Sequence, residues 1–316
     1  MNILYIYTCQ DFILNHPKPT IMQKMSYCTL LVIFLFAILP LHSQVVTRGS
    51  NKSEFITIST SPLIVVLTGE ADFDSSFVSA VKKGWTLTPY EFMGSKEANK
   101  IVRDETKSFL LPMSVVVRFG SGTDPFAYSA SKMWLILVKG GKKSLDKYID
   151  NDAIVYSPFS QFGDESEYED ATYRLEYMVA GINDAIAITK KEEINGGMTL
   201  PITVMDAINK AKSSVIKTKT LVMNRDLKNL HEQYVFDDKL FEDNYDYKYE
   251  FVSDAEFREI MLGTSDEYLC LFPAIDANKY VFIYEPSTRG TVYAHWVMQG
   301  MKFSSKDMNK LVEVIK

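Results

Sequence analysis

Few side chains in this 316-residue chain could do chemistry, and they are thinly spread. Only four histidines occur, at 16, 42, 231 and 295, so acid-base and metal chemistry have few carriers. The chain contains no H-E-x-x-H and no paired Cys/His spacing of the kind that gathers zinc ligands. It also lacks the G-x-S-x-G elbow. The S-x-x-K spacing of penicillin-recognising enzymes runs from Ser129 to Lys132. It recurs at Ser79 to Lys82, Ser144 to Lys147 and Ser214 to Lys217 with no K-T-G partner, as common residues give by chance. Gly120-Ser121-Gly122 and Gly140-Gly141-Lys142 have neither the Walker spacing nor the dinucleotide fingerprint and read as turns. No metal ligand set, cofactor or catalytic group follows from these residues.

Acids and tyrosines remain. Asp237, Asp238, Glu242, Asp243 and Asp246 crowd one stretch without the alternating Asp/Asn and Gly of a calcium loop, so they read as a solvated face. Tyr245, Tyr247 and Tyr249 interleave with them. On a strand the three would share one face, open to a glycan or partner if exposed, although burial against a helix is the commoner fate of such aromatics. Position adds a further expectation, because open α/β sheets hold ligands at the carboxyl ends of their strands. Those ends are Thr68, Gly69, Glu70 and Asp72 in one part of the chain and Asn224, Arg225 and Asp226 in another. The candidate ligand-binding residues are therefore Glu70, Asp72, Arg225, Asp226, Tyr245 and Tyr247.

The elements that must position these residues occur twice. YEFMGSKEANKIVRDETKSFLLP, from Tyr90 to Pro112, aligns with YEFVSDAEFREIMLGTSDEYLCLFP, from Tyr249 to Pro273. With Tyr90 on Tyr249, Glu97 falls on Glu256 and Ile101 on Ile260. A two-residue insertion then places Leu110 on Leu271 and Pro112 on Pro273. Each copy reads as strand, helix, strand. The aromatic alternation favours β structure, Ser253 to Glu256 forms a capping box, and Gly94 replaces the serine in the first copy. Ala98, Ile101 and Val102, matched by Phe257, Ile260 and Met261, give one apolar helix face.

The same layout extends outward. Leu63 to Leu67 is a continuous apolar run expected as a buried central strand, with Thr220 to Met223 as its equivalent. Phe73, Phe77, Ala80 and Val81 share a helix face, matched by a shorter helix through Phe236, Leu240 and Phe241. The patch from Phe55 to Ser59 alternates and reads as a leading edge strand. Ser114 to Phe119 and Lys132 to Lys139 bracket a Gly/Pro loop and predict an antiparallel addition, with Tyr280 to Glu285 and Thr291 to Trp296 as its counterpart. An acidic run from Asp164 to Asp170 opens the longest predicted helix, whose stripe is Ala171, Leu175, Met178, Val179, Ile182 and Ile186. Thr203 to Val215 and Ser304 to Lys316 are further helices. Asn195-Gly196-Gly197 is the expected joint.

The fold class is α/β (or α+β): two tandem duplicated units, 44–195 and 196–316, each a mixed sheet flanked by amphipathic helices. Ahead of them, Lys24 precedes an apolar run from Thr29 to Leu41 and a small residue, Ser43. This is the layout of a secretory signal peptide over residues 1–43, with translation starting at Met22 or Met25. A retained anchor at 29–41 is the alternative, but the run is shorter than the roughly 20 apolar residues a span needs. Cleavage leaves Cys270 as the one cysteine, so no internal disulfide supports the core. Removing Asp11, Lys18 and Lys24, a net contribution of +1, takes the formal charge from −6 to −7, which argues against a nucleic-acid partner. The function expected from these residues is an exported, non-enzymatic module, periplasmic or secreted, that binds an unidentified protein or envelope component. The alternative is a hydrolase or transferase using acids at the strand ends.

Overall fold

A computed structural model describes residues 46–47, 52–119, 128–158, 172–191, 200–228, 232–275, 279–297 and 300–316. The expected leader, the acidic run 164–170, His231 and the joint at 195–197 lie outside the described residues.

After a short β1 (Val46–Thr47), the first half runs α1 (Lys52–Ile58), β2 (Leu63–Leu67), α2 (Ala71–Gly84), β3 (Tyr90–Gly94), α3 (Ser95–Ile101) and β4 (Ser108–Phe119). It closes with β5 (Tyr128–Lys139), β6 (Val155–Pro158) and α4 (Leu175–Lys191). The second half repeats this order as α5 (Leu200–Lys212), β7 (Thr220–Asn224), α6 (Asp238–Asn244), β8 (Tyr249–Val252), α7 (Asp254–Leu262) and β9 (Tyr268–Ile275). It ends in β10 (Lys279–Glu285), β11 (Gly290–Val297) and α8 (Ser305–Ile315). The sheets have the orders β1-β6-β5-β4-β2-β3 and β11-β10-β9-β7-β8, so apart from β1 they are the same sheet drawn twice. In each, the central strand is parallel to its two neighbours, and two further strands join antiparallel.

Register makes the correspondence residue by residue. Leu63 pairs with Tyr90 as Leu221 pairs with Tyr249, and Val65 with Leu110 as Met223 with Leu271. Pro112 then pairs with Leu135 as Pro273 does with Val281. Both prolines stand two residues beyond the last partner of the central strand, where no parallel ladder needs an N–H.

Four packed clusters follow from the two faces of each sheet. Leu63, Val65, Leu110, Leu135 and Leu137 pack under α2 and α4, while Ile64, Val66, Phe109 and Ile136 turn to α3. The second sheet repeats this with Leu221, Met223, Leu271 and Ile283 under α6 and α8, and Val222, Cys270, Phe272 and Phe282 under α7. The halves stack head to tail: Tyr177 of α4 and Met205 of α5 enter the cluster under α7, while Val204 and Ile208 of α5 join the cluster under α2.

Three expectations need correction. Phe55 to Ser59 is not an edge strand: residues 52–58 are helical, and Phe55 and Ile58, three apart, are the pair that goes inside. The edge position falls instead to β1, whose Val46 pairs with Tyr156. Ser114 to Phe119 is not a separate strand but the continuation of β4 through Pro112, so the counterpart of β10 is β5 and that of β11 is β6. The short β6 escapes a periodicity reading because it follows two 3-10 turns and is buried throughout. The tyrosine face is also not that of a strand, since β8 begins only at Tyr249 and Tyr245 ends α6.

Candidate functional site

The strand-end acids lie in separate halves and are occupied differently. Glu70 stands at the N-cap of α2 without a side-chain cap bond, and Asp72 follows in its first turn, both exposed. The loop after β2 is shaped by Asp74, whose carboxylate accepts from the N–H groups of Thr68 (2.9 Å) and Gly69 (2.8 Å) and from the Thr68 hydroxyl (2.9 Å). In the second half, Asp226 accepts from the Asp254 N–H at 2.9 Å and so fills the N-terminus of α7 with the chain's own carboxylate. Asn224 donates to Asp254 at 2.7 Å, and Arg258 donates to its other oxygen. Arg225 is exposed, with its guanidinium 5.7 Å from the centre of the Phe251 ring.

Tyr245 and Tyr247 belong to an aromatic cluster with Phe236, Phe241, Tyr249 and Phe251. Tyr245 is buried, and burial pushes its phenol well above the ordinary value. It is packing, not an exposed ladder. The acids at 237, 238, 242, 243 and 246 are exposed, and Asp237 caps α6 by accepting from the Lys239 N–H.

A different constellation forms at the junction of the halves, in a crevice of about 340 Å³. That volume falls at the lower end of the roughly 300–1,000 Å³ typical of ligand sites, which also favour domain junctions. Glu176, Ala180, Asn183 and Asp184 of α4 supply one wall. Their steps of four, three and one place them on a single face of a helix that is otherwise almost wholly buried. The end of α2 adds Lys83 and Gly84, and Thr86 follows. The second half contributes Lys212 at the end of α5 and Thr288, Arg289 and Gly290 from the β10–β11 turn.

Electrostatics organise the crevice. Glu176 accepts from Lys83 through one oxygen and from Arg289 Nε, at 2.8 Å, through the other. Arg289 adopts φ 59°, an uncommon backbone for a side chain of its size. It is held there by the carbonyls of Met261, Leu262 and Gly263 at the end of α7, to which the guanidinium donates at 2.5, 2.8 and 2.7 Å. It also donates to the Tyr177 hydroxyl at 3.0 Å. A cation at a helix C-terminus suits the dipole, so Arg289 pins the turn, α4 and α7 together. Lys212 Nζ meets Asp184 at 2.7 Å. Asn183 accepts from the Thr86 N–H at 2.9 Å. Three cations thus face two carboxylates.

The candidates named from sequence are not drawn into this crevice. Its signal was nonetheless present: Glu176, Asn183 and Asp184 interrupt an apolar helix at helical spacing. Finding the crevice also needed Lys83, Lys212 and Arg289, which come from three distant stretches. Among the described residues no three His, Cys, Asp or Glu side chains converge as a metal site, and no helix is long and apolar enough to cross a membrane. Compared with protein-family models, with curated proteins and with solved structures, the chain matches none.

Proposed function

We propose that the chain is an exported, non-enzymatic binding module of the cell envelope, and that it engages its ligand at the crevice between the halves. The observation that carries this reading is the crevice itself: both halves supply charged and hydrogen-bonding groups to one concave surface. The strand-end acids favour the same reading over hydrolysis, because Asp226 is engaged at the start of α7 and Glu70 and Asp72 are solvent-facing. Export rests on Lys24, the apolar run Thr29 to Leu41 and Ser43.

Two measurements test it. The N-terminus of the protein recovered from the envelope or medium is expected at Gln44. Capture from envelope extracts on the immobilised protein is expected to enrich a specific component that a Lys83→Glu, Lys212→Glu double variant loses. A substrate panel that reveals turnover abolished by Glu70→Gln or Asp226→Asn would sink the proposal in favour of the enzyme.

A further inference from the structure

We infer that the crevice takes a small anionic ligand, a carboxylate or a phosphate, drawn by Lys83 and Lys212; this rests on reading the crevice as the binding site. The charges that line it do not contribute equally. Glu176 has both oxygens engaged, and Arg289 is spent on Glu176 and on backbone carbonyls, so neither has much left to offer a ligand. Lys83 and Lys212 differ: each ammonium has three N–H donors and meets a single carboxylate oxygen, at Glu176 and Asp184. Their side chains are 59% and 36% exposed, so the spare donors are open to solvent.

The sum of the lining charges is positive by one, from Lys83, Lys212 and Arg289 against Glu176 and Asp184. A concavity whose lining charges sum to a positive value attracts anions, and it does so on a chain whose formal charge is −6. Thr86, Asn183 and Thr288 supply neutral polar groups beside the charges. Gly290 adds no side chain beside these groups: a Cβ there would stand 3.1 Å from Thr288 Oγ1 and 3.5 Å from Lys212 Nζ.

Succinate and inorganic phosphate serve as probes, with succinamide as the neutral control, by calorimetry on the mature chain at low ionic strength. One of the two anions is expected to bind at a single saturable site, succinamide not at all. Lys83→Met and Lys212→Met should each weaken binding about tenfold or more, the scale of one charge-assisted bond. Raising the salt should weaken it further. Gly290→Ala should do the same without removing a charge. Both lysines are exposed enough for unchanged circular dichroism and thermal midpoint to confirm the fold. Whichever anion binds better identifies the source as carboxylate or phosphate chemistry. Absence of binding by either anion, or binding indifferent to both lysine variants, overturns the inference. If anions fail while the crevice variants still abolish capture of an envelope component, the ligand class is wrong and the binding reading stands. If neither capture nor anion binding responds to the variants, both fall.

Discussion

Lys279 and Asp307 form an ion pair at 2.5 Å with side chains 2% and 0% exposed. Lys279 also donates to the Lys302 carbonyl, and Asp307 accepts from the Ser304 N–H and hydroxyl, so the pair ties the start of β10 to the start of α8. Deleting one member leaves a buried charge without its partner, which costs far more than the intact pair contributes. Asp307→Ala is expected to lose about 3–5 kcal/mol in urea unfolding. Adding Lys279→Met to that variant should recover part of the loss, whereas additive losses would show that the pair is not coupled. His295 lies in the same region, and its imidazole is held down to about 4, first by burial and then by Lys310 and Lys279, against the opposing pull of Asp307 and Glu313. The folded protein therefore keeps it neutral where the unfolded chain would take up a proton. Its contribution to stability is complete above pH 6.5 and is lost as the pH falls from there towards 4, on the order of 3 kcal/mol in all. Other groups titrate over the same range, so the informative quantity is the difference between the wild type and His295→Phe. That difference should change between pH 7 and pH 4.5, and a flat difference would rule the histidine out.

At the scale of elements, the two sheets protect equivalent edges by different means. In the first, β1 pairs across Tyr156 and Val155 of β6. In the second, the equivalent position is Ala294 of β11, and a side chain replaces the strand: Asn209 of α5 donates to the Ala294 carbonyl at 3.0 Å and accepts from its N–H at 2.8 Å. Both groups are buried, so Asn209→Leu, close in volume, should cost about 1–3 kcal/mol by stranding a backbone donor and acceptor. A change below about 0.5 kcal/mol in the urea midpoint analysis would show that water replaces the amide. This comparison also shows what the sequence could and could not reveal. The central strands, the Ser253 capping box, Gly94 as N-cap and the equivalence of Leu110 and Leu271 in the two copies were legible, because local propensity and burial agree there. The box is present in both directions, with Ser253 N–H donating to Glu256 at 3.0 Å. α1 was misread because Phe55-Ile56-Thr57-Ile58 satisfies period two and period three at once, and only the strand it packs on decides between them. The crevice was hidden for another reason. Its lysines and arginine are ordinary surface residues in sequence, and only the stacking of the halves brings them to Glu176 and Asp184.

The stacking itself is directional. One half offers its α2/α4 face and the other its α7 face, so the contact is heterologous and could in principle repeat from molecule to molecule. The chain stops it at both ends. α4, the helix between the sheets, is buried on nearly every side, as Leu175, Tyr177, Met178, Val179, Ala180 and Ile182 show. α8 holds the equivalent place on the outer end and buries Met308, Leu311 and Ile315, with Val312 and Val314 half-buried beside them and Lys306, Asn309 and Glu313 exposed. At the opposite end α3 buries Ala98 and exposes Lys96, Glu97, Asn99 and Lys100. These polar faces cap the pair as terminal repeats cap a solenoid. It follows that the halves are one folding unit despite their common design, because each lends side chains to the other's core: Val204 and Ile208 in one direction, Tyr173 and Tyr177 in the other. Cutting the chain between Lys191 and Leu200 should leave two fragments that coelute on size exclusion and unfold in a single transition. Expressed alone, the first fragment would expose the apolar side of α4 and the second the cluster under α7, so both should aggregate or bind a hydrophobic dye. A monomeric first fragment with cooperative unfolding would mean that the interface is dispensable, and that the crevice could then open by separation of the halves.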